Sequence, residues 1–437
     1  MKINYRHMKK TLVFLFSIVL TISSFSQTKS IKSTPPFSEA SPHSVGMSEE
    51  RLALIDNMLI HSMEENQIPG AVALIARNGK IVYYKAFGMA ENETKRSLKR
   101  DDIFRIASQT KAITSTAVMM LWEEGKFRLD DPISKYIPEF ENAQILDSLY
   151  ERDTTYTTNP AKEQITIRHL LTHTSGIGYG FIDNDEFRKI YQKTGIIDAF
   201  TTEPITIEEN IKKLAKLPLH HNPGEKFTYS EGLDVLGYFI EILSGKPLDE
   251  FFKERIFRPL GMNDTYFYLP DSKIDRLVPV QTKKDDKWIR YTNTTYYDPD
   301  YPIKGTKTFF SGGGGISSTA KDYATFLQMY LNNGELNGVR LLSRTTVQFI
   351  MANQIGDLWG NSGAYYGLAF GVLNQEGQNM GGRGSIGSFD WGGYFNTQYF
   401  ADPKENIIGI LMKQTQDIRT DDTGWKFRQL VGQAIDD

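Results

Sequence analysis

The sequence predicts an α/β fold built from the two ends of the chain, with a mostly helical insertion between them. Two observations carry this. Short apolar runs bounded by turn residues put strands near both ends, and residues 131–304 read as helices and loops. At 437 residues the chain also exceeds one compact unit. The expected division is a leader at 1–26, a flexible tether at 27–46, a discontinuous α/β domain from 47–130 and 305–437, and a helical inserted domain at 131–304.

In the leader, Lys2, Arg6, Lys9 and Lys10 precede an apolar stretch at 11–22, with Ser24 and Ser26 as small residues before Gln27. That is the pattern of a signal peptide, so a periplasmic or secreted protein with no stable membrane span after cleavage is expected; an uncleaved anchor is the alternative. Its removal takes the formal charge from −3 to about −7, since four cations and no acids leave. An acidic chain without a basic run is not expected to bind nucleic acid. The chain has no cysteine, which excludes disulfides, thiolate metal sites and cysteine nucleophiles.

Residues 27–46 are rich in Ser, Thr and Pro and read as the tether. A helix follows from Met47, with Ser48 as cap and Leu52, Ile55, Met58 and Leu59 on one stripe. Residues 71–76 and 81–84 around Asn78-Gly79 make a hairpin. A buried helix begins near Ser108 and stops near Gly125. In the middle, 208–217 and 234–244 are the clearest helices. After the glycines at 312–315, a helix at 319–331 is expected, capped by Ser317 or Ser318. Strands at 367–372, 392–395, 398–401 and 407–412 close the chain.

The chemistry concentrates at Ser108-Gln109-Thr110-Lys111. Residues i and i+3 are neighbours on a helix, so a hydroxyl and an amine meet there. A lysine in a partly dry site can give up its proton and strip the serine hydroxyl, making a nucleophile without histidine. Two tetrapeptides match the same pattern. Ser26–Lys29 falls at the cleavage region, and Ser318–Lys321 fits a helix start. Tyr229, in Phe227-Thr228-Tyr229-Ser230-Glu231, is a candidate second proton carrier, against the plainer reading of a core tyrosine at a turn. Trp391-Gly392-Gly393-Tyr394 offers paired glycines on a strand, which permit the close backbone approach that an oxyanion site requires; a bulge or turn is the plain alternative. His169 and His173, at i and i+4, lack a following carboxylate in metal-ligand pattern and read as capping or core residues. No metal or cofactor is expected. There is no Gly-x-Ser-x-Gly elbow and no phosphate loop.

Together these segments, with Ile165–Gly176 and residues 311–319 and 391–403, resemble the serine β-lactamase and penicillin-binding-protein superfamily, in its class C-related branch and nearest its carboxylesterase members. The resemblance spans about residues 45–430. It implies a β-lactamase/transpeptidase-like fold, an antiparallel sheet flanked by helices. It also implies roles: Ser108 as the acylated nucleophile, Lys111 as its activator, Tyr229 as second proton-transfer residue, and the Ser108 and Tyr394 backbone N–H groups as oxyanion hole. Glu231, Trp391, Gly392 and Gly393 would line the substrate site. The substrate would be a small ester or amide. Two departures matter. Lactamases and peptidases of this branch carry Tyr-x-Asn and Lys-Thr-Gly, where this chain has Tyr229-Ser230-Glu231 and Trp391-Gly392-Gly393. Losing an ammonium that holds a substrate carboxylate removes roughly 1.5–3 kcal/mol. An esterase for neutral or small acyl esters is therefore expected first. A D-alanyl-D-alanine carboxypeptidase or β-lactamase is the alternative, and a catalytically silent binding or sensor protein a second one. Oligomeric state is not legible.

Overall fold

The computed structural model describes residues 28–150, 152–360, 363–416 and 421–437; the leader at 1–26 lies outside them. Its centre is a sheet drawn from both ends of the chain. The strands are Ser38–Glu39 (β1), Gly70–Arg77 (β2), Lys80–Glu91 (β3), Ala364–Tyr366 (β4), Gly371–Leu373 (β5), Phe389–Gly393 (β6), Thr397–Asp402 (β7) and Ile407–Met412 (β8). They run in the order β1-β3-β2-β8-β7-β6-β5-β4, and Arg96–Ser97 adds to β3. All pairings are antiparallel except that of β1 with β3. The joint between the two chain ends is β2 on β8, with Leu74 opposite Ile410.

Strand β2 reads as an unbroken apolar run because both its faces are covered. Alternate residues point to opposite sides. Ala71, Ala73 and Ile75 pack with Leu52, Ile55 and Leu59 of the helix Glu49–Glu64 (α1) and with Phe427 and Val431 of the C-terminal helix Thr423–Gln433. Val72, Leu74 and Ala76 join the larger core, which holds Ile113 and Val118 of Thr110–Glu123 (α2), Phe239 of Gly232–Ser244 (α3), and Phe326 of Ala320–Leu331 (α4). Each buried Val, Leu, Ile or Phe among them contributes about 1.5–3 kcal/mol. Ser48 caps α1 as expected, its Oγ accepting from Arg51 N–H at 3.3 Å.

Four expectations need correction. The stretch expected as a free tether is bound over residues 28–46: Ser38–Glu39 pairs with Lys80–Ile81, Thr34 Oγ1 donates to Glu335, and Pro42–Val45 forms a 3₁₀ turn. The strand expected at 367–372 is two strands around a tight turn, with Gly367 N–H on Phe370 O and Ala369 at φ 70°. Helix α4 is capped by Thr319, which accepts from Asp322 N–H, because Ser317–Ser318 pair instead with Phe104–Arg105. The mostly helical middle also carries two hairpins, Gln144–Tyr150 with Thr155–Pro160 and Gln281–Lys284 with Lys287–Arg290.

Candidate active site

Ser108 lies in a 3₁₀ turn, Ala107–Gln109, that runs directly into α2. The turn is sharp: Ala107 has φ 44°, a left-handed value that costs a residue with Cβ about 1–3 kcal/mol. The flanking backbone is fixed where that strain is stored. Ile106 N–H donates to Ile316 O at 3.0 Å and Arg105 N–H to Gln414 Oε1 at 2.7 Å.

One turn on, Lys111 is 1 % exposed. Its ammonium has three N–H groups. They donate to Gly313 O at 2.7 Å, Tyr179 Oη at 3.2 Å and Ser108 Oγ at 3.4 Å. Gly313 O can only accept, so in the neutral amine the lone pair is left for one of the two hydroxyls. The Lys111 nitrogen also lies 4.7 Å from the ring centre of Tyr229 and 4.9 Å from that of Tyr179. These two tyrosines stack at 5.3 Å and 7°. Burial, reinforced by Tyr229, pushes the Tyr179 phenol well above its ordinary range, so it stays a hydroxyl. The Tyr229 hydroxyl is buried and has no hydrogen-bond partner among the described residues. Behind it, His173 has its ring 4.5 Å from that of Tyr229 and takes the Ser230 N–H on Nδ1. Burial and then Lys111 hold the His173 pKa far down, so it is neutral scaffold. His169 completes a capping box with Thr166.

Carboxyl groups lie beneath this centre. Asp234 Oδ1 accepts from Gly313 N–H at 3.1 Å, tying α3 to the carbonyl that holds Lys111. Glu231 corrects an expectation. It does not line the substrate site but is 1 % exposed and faces Asp198. Burial, then the charge of Asp198, pushes its carboxyl well above the usual carboxylate range.

Strand β6 closes the site. A side chain at Gly393 would collide with Ile106 O, on the segment that enters the Ser108 turn, and with Thr397 Oγ1. Only glycine lets β6 lie this close to Ser108, and Tyr394 follows at its end. The half-buried Trp391 begins an aromatic wall: its ring is 5.9 Å from Tyr229, 5.5 Å from Tyr366 and 6.0 Å from Trp359. On the other side Tyr394 meets Phe181 at 5.4 Å.

The structure thus gathers Ser108, Lys111, Tyr229, Trp391, Gly393 and Tyr394. Gly392 is exposed on the same strand. Ser318 is elsewhere, fully buried, its Oγ 2.8 Å from Thr265 Oγ1. Sequence reasoning missed Tyr179, the Gly313 carbonyl and Asp198. Tyr179 had one available signal, its place in Gly178-Tyr179-Gly180 directly after Ile165–Gly176.

Compared with known families, residues 55–433 match the Beta-lactamase family. Protein Rv1367c of Mycobacterium tuberculosis is 32 % identical over 79 % of this chain and 86 % of its own length. Esterase EstB of Burkholderia gladioli is 28 % identical over 83 % of this chain and 90 % of its own. Among solved structures, EstCE1, described as a hydrolase with promiscuous acyltransferase activity, superposes with a TM-score of 0.74 at 27 % identity, covering 87 % of this chain and 98 % of that one.

Proposed function

The chain belongs to the Beta-lactamase family, and from that premise we propose that it is a serine hydrolase cleaving small or neutral carboxylic esters through an acyl-enzyme on Ser108. The observation that carries this is the buried Lys111 amine held against Ser108 Oγ, with its remaining hydrogen-bonding capacity taken by Gly313 and Tyr179. In acylation, Ser108 Oγ bonds to the ester carbonyl carbon as its proton passes to neutral Lys111. The Ser108 and Tyr394 N–H groups take the developing oxyanion. The C–O bond to the alcohol then breaks, and the Tyr229 hydroxyl, the unpartnered donor beside Lys111, protonates the leaving oxygen. Lys111 restores that proton to Tyr229. Water, deprotonated by the same pair, then attacks the acyl carbon and frees Ser108.

The preference for esters over β-lactams rests on Trp391 at the place of the Lys-Thr-Gly ammonium and on the aromatic wall it opens. It is supported by the likeness to Esterase EstB. In the same reading residues 1–26 direct export; among the described residues no helix is long and apolar enough to cross a membrane. Ser108→Ala should abolish turnover of a short-chain aryl ester, while Ser318→Ala leaves it intact. Efficient cephalosporin hydrolysis with little ester turnover would instead select the lactamase alternative.

A further inference from the structure

Two carboxyl groups between the Tyr179 loop and the Tyr229 turn have no task in this scheme. Asp198 Oδ1 and both oxygens of Glu231 are buried and meet no conventional donor among the described residues. Yet the two side chains lie within hydrogen-bonding reach of each other. Two carboxylates cannot bond, since each only accepts. A single proton between them supplies the donor and removes the like-charge repulsion. The rest of each residue grips the Tyr179 loop. Asp198 Oδ2 accepts from Phe181 N–H at 2.9 Å, and Glu231 N–H donates to Gly178 O at 3.0 Å. Between these anchors the backbone of Gly180, at φ 33°, runs so close to the Asp198 carboxyl that any Cβ would overlap it. The next residue, Ala199, packs on Gly314, the residue after the Lys111 acceptor.

We infer that Asp198 and Glu231 share one proton and act as a positioning pair that fixes Tyr179 against Lys111. The inference rests on Ser108 and Lys111 being the nucleophile and its base. The groups facing the pair are Lys111, Asp234, Asp183 and the phenols of Tyr179 and Tyr191. Lys111 opposes further proton binding, while the two aspartates favour it. Burial raises both carboxyls of the pair, so the pair holds its proton to higher pH than free carboxyls do. Its loss in alkali would set two buried negative charges against each other and release the 178–181 loop.

The test uses the full chain and a fluorophosphonate probe, with the rate of Ser108 adduct formation read by mass against pH. Glu231→Ala leaves Asp198 without its partner and should slow labelling at neutral pH about ten- to a hundredfold. Glu231→Gln offers Asp198 an amide donor that does not titrate. It should rescue most of that loss and move the alkaline fall in labelling to higher pH. In a Tyr179→Phe background, Glu231→Ala should add little, because the pair acts through that hydroxyl. Unchanged alkaline limbs in wild type and Glu231→Gln, or fully additive losses with Tyr179→Phe, overturn the inference. Thermal unfolding judges the pair without the chemistry. The folded pair keeps a proton that the unfolded chain releases near the ordinary carboxylate pKa, so wild-type stability should fall as pH rises through the pair's titration, and Glu231→Gln should flatten that fall. Equal slopes refute the shared proton. A wild type that takes no adduct refutes the Ser108 reading and leaves the pair to this second measurement.

Discussion

Replacing Gly393 by alanine tests the site where backbone geometry and chemistry meet. The new Cβ would overlap both Ile106 O and Thr397 Oγ1. Restoring an ordinary separation of about 3.5 Å means moving β6 by about 1 Å from the segment that carries Ser108. The Thr397 hydroxyl can rotate away, but Ile106 O cannot, since Ile106 is held to Ile316 and Gln109 N–H donates to that same carbonyl at 3.1 Å. The strand must therefore yield, carrying Tyr394 N–H with it. A displacement of about 1 Å, or loss of one oxyanion donor, costs about a hundredfold in turnover. Overpacking adds about 1–3 kcal/mol of lost stability. Gly392→Ala is the internal control. It is the same substitution one residue away, but its Cβ would meet only Thr397 O, at 3.5 Å. Steady-state hydrolysis of a short aryl ester, with melting temperature in parallel, should show kcat falling about a hundredfold for Gly393→Ala, with KM little changed, and at most a few-fold for Gly392→Ala. Equal behaviour of the two variants would refute the argument that close approach of β6 sets the site.

Three further outcomes follow from the same geometry. Lys111→Met should lower both kcat and the rate of Ser108 labelling by about 10²–10⁴ without a large fall in melting temperature, because an apolar chain of similar length replaces a buried ammonium. Tyr179→Phe keeps the stack on Tyr229 but removes one Lys111 acceptor, and about a tenfold loss of kcat is expected in the same ester assay. Far along α3 from the site, Glu241 accepts Leu248 N–H at 2.9 Å, and burial raises its carboxyl to about 7. A raised folded pKa gives stability that is full below the unfolded value near 4.5 and is lost as pH rises through 7. Glu241→Gln should therefore be the more stable protein at pH 8 by about 1–2 kcal/mol after solvent screening, and the advantage should vanish near pH 4 in melts across that range.

The meeting of Ser108 and Lys111 was legible in the sequence because local spacing determines it: three positions apart, where a 3₁₀ turn runs into α2, the hydroxyl and the amine come within 3.4 Å. The α1 cap and the hairpin around Asn78-Gly79 were legible for the same local reason. What escaped was set by groups that carry no side-chain signature or that arrive from far away. The principal Lys111 acceptor is a backbone carbonyl in the glycine run, and Tyr179 comes from 68 positions along the chain. The false strand at 367–372 arose because the turn inside it uses Ala369 in a left-handed conformation rather than the glycine or asparagine that marks such turns. The cap of α4 was misplaced by one or two residues because Ser317 and Ser318 have a competing use as a two-residue strand. The composition of 28–46 suits a flexible chain, but Ser and Pro also start capped turns, and here β1 supplies a partner for the β3 edge.

The position of Glu231 changes how Tyr229-Ser230-Glu231, in place of Tyr-x-Asn, bears on substrate choice. Exposed in the cleft, its carboxylate would repel an anionic substrate directly. Buried with Asp198, it lies out of direct reach of a substrate in the cleft. A substrate with its own carboxylate would find, at β6, the indole of Trp391 instead of an ammonium. The missing charge-assisted contact is worth about 1.5–3 kcal/mol, one to two decades in affinity. A neutral ester loses nothing by the exchange and gains apolar contact along Trp391 and Trp359. Substrate discrimination in this reading therefore comes from Trp391-Gly392-Gly393 and not from Glu231.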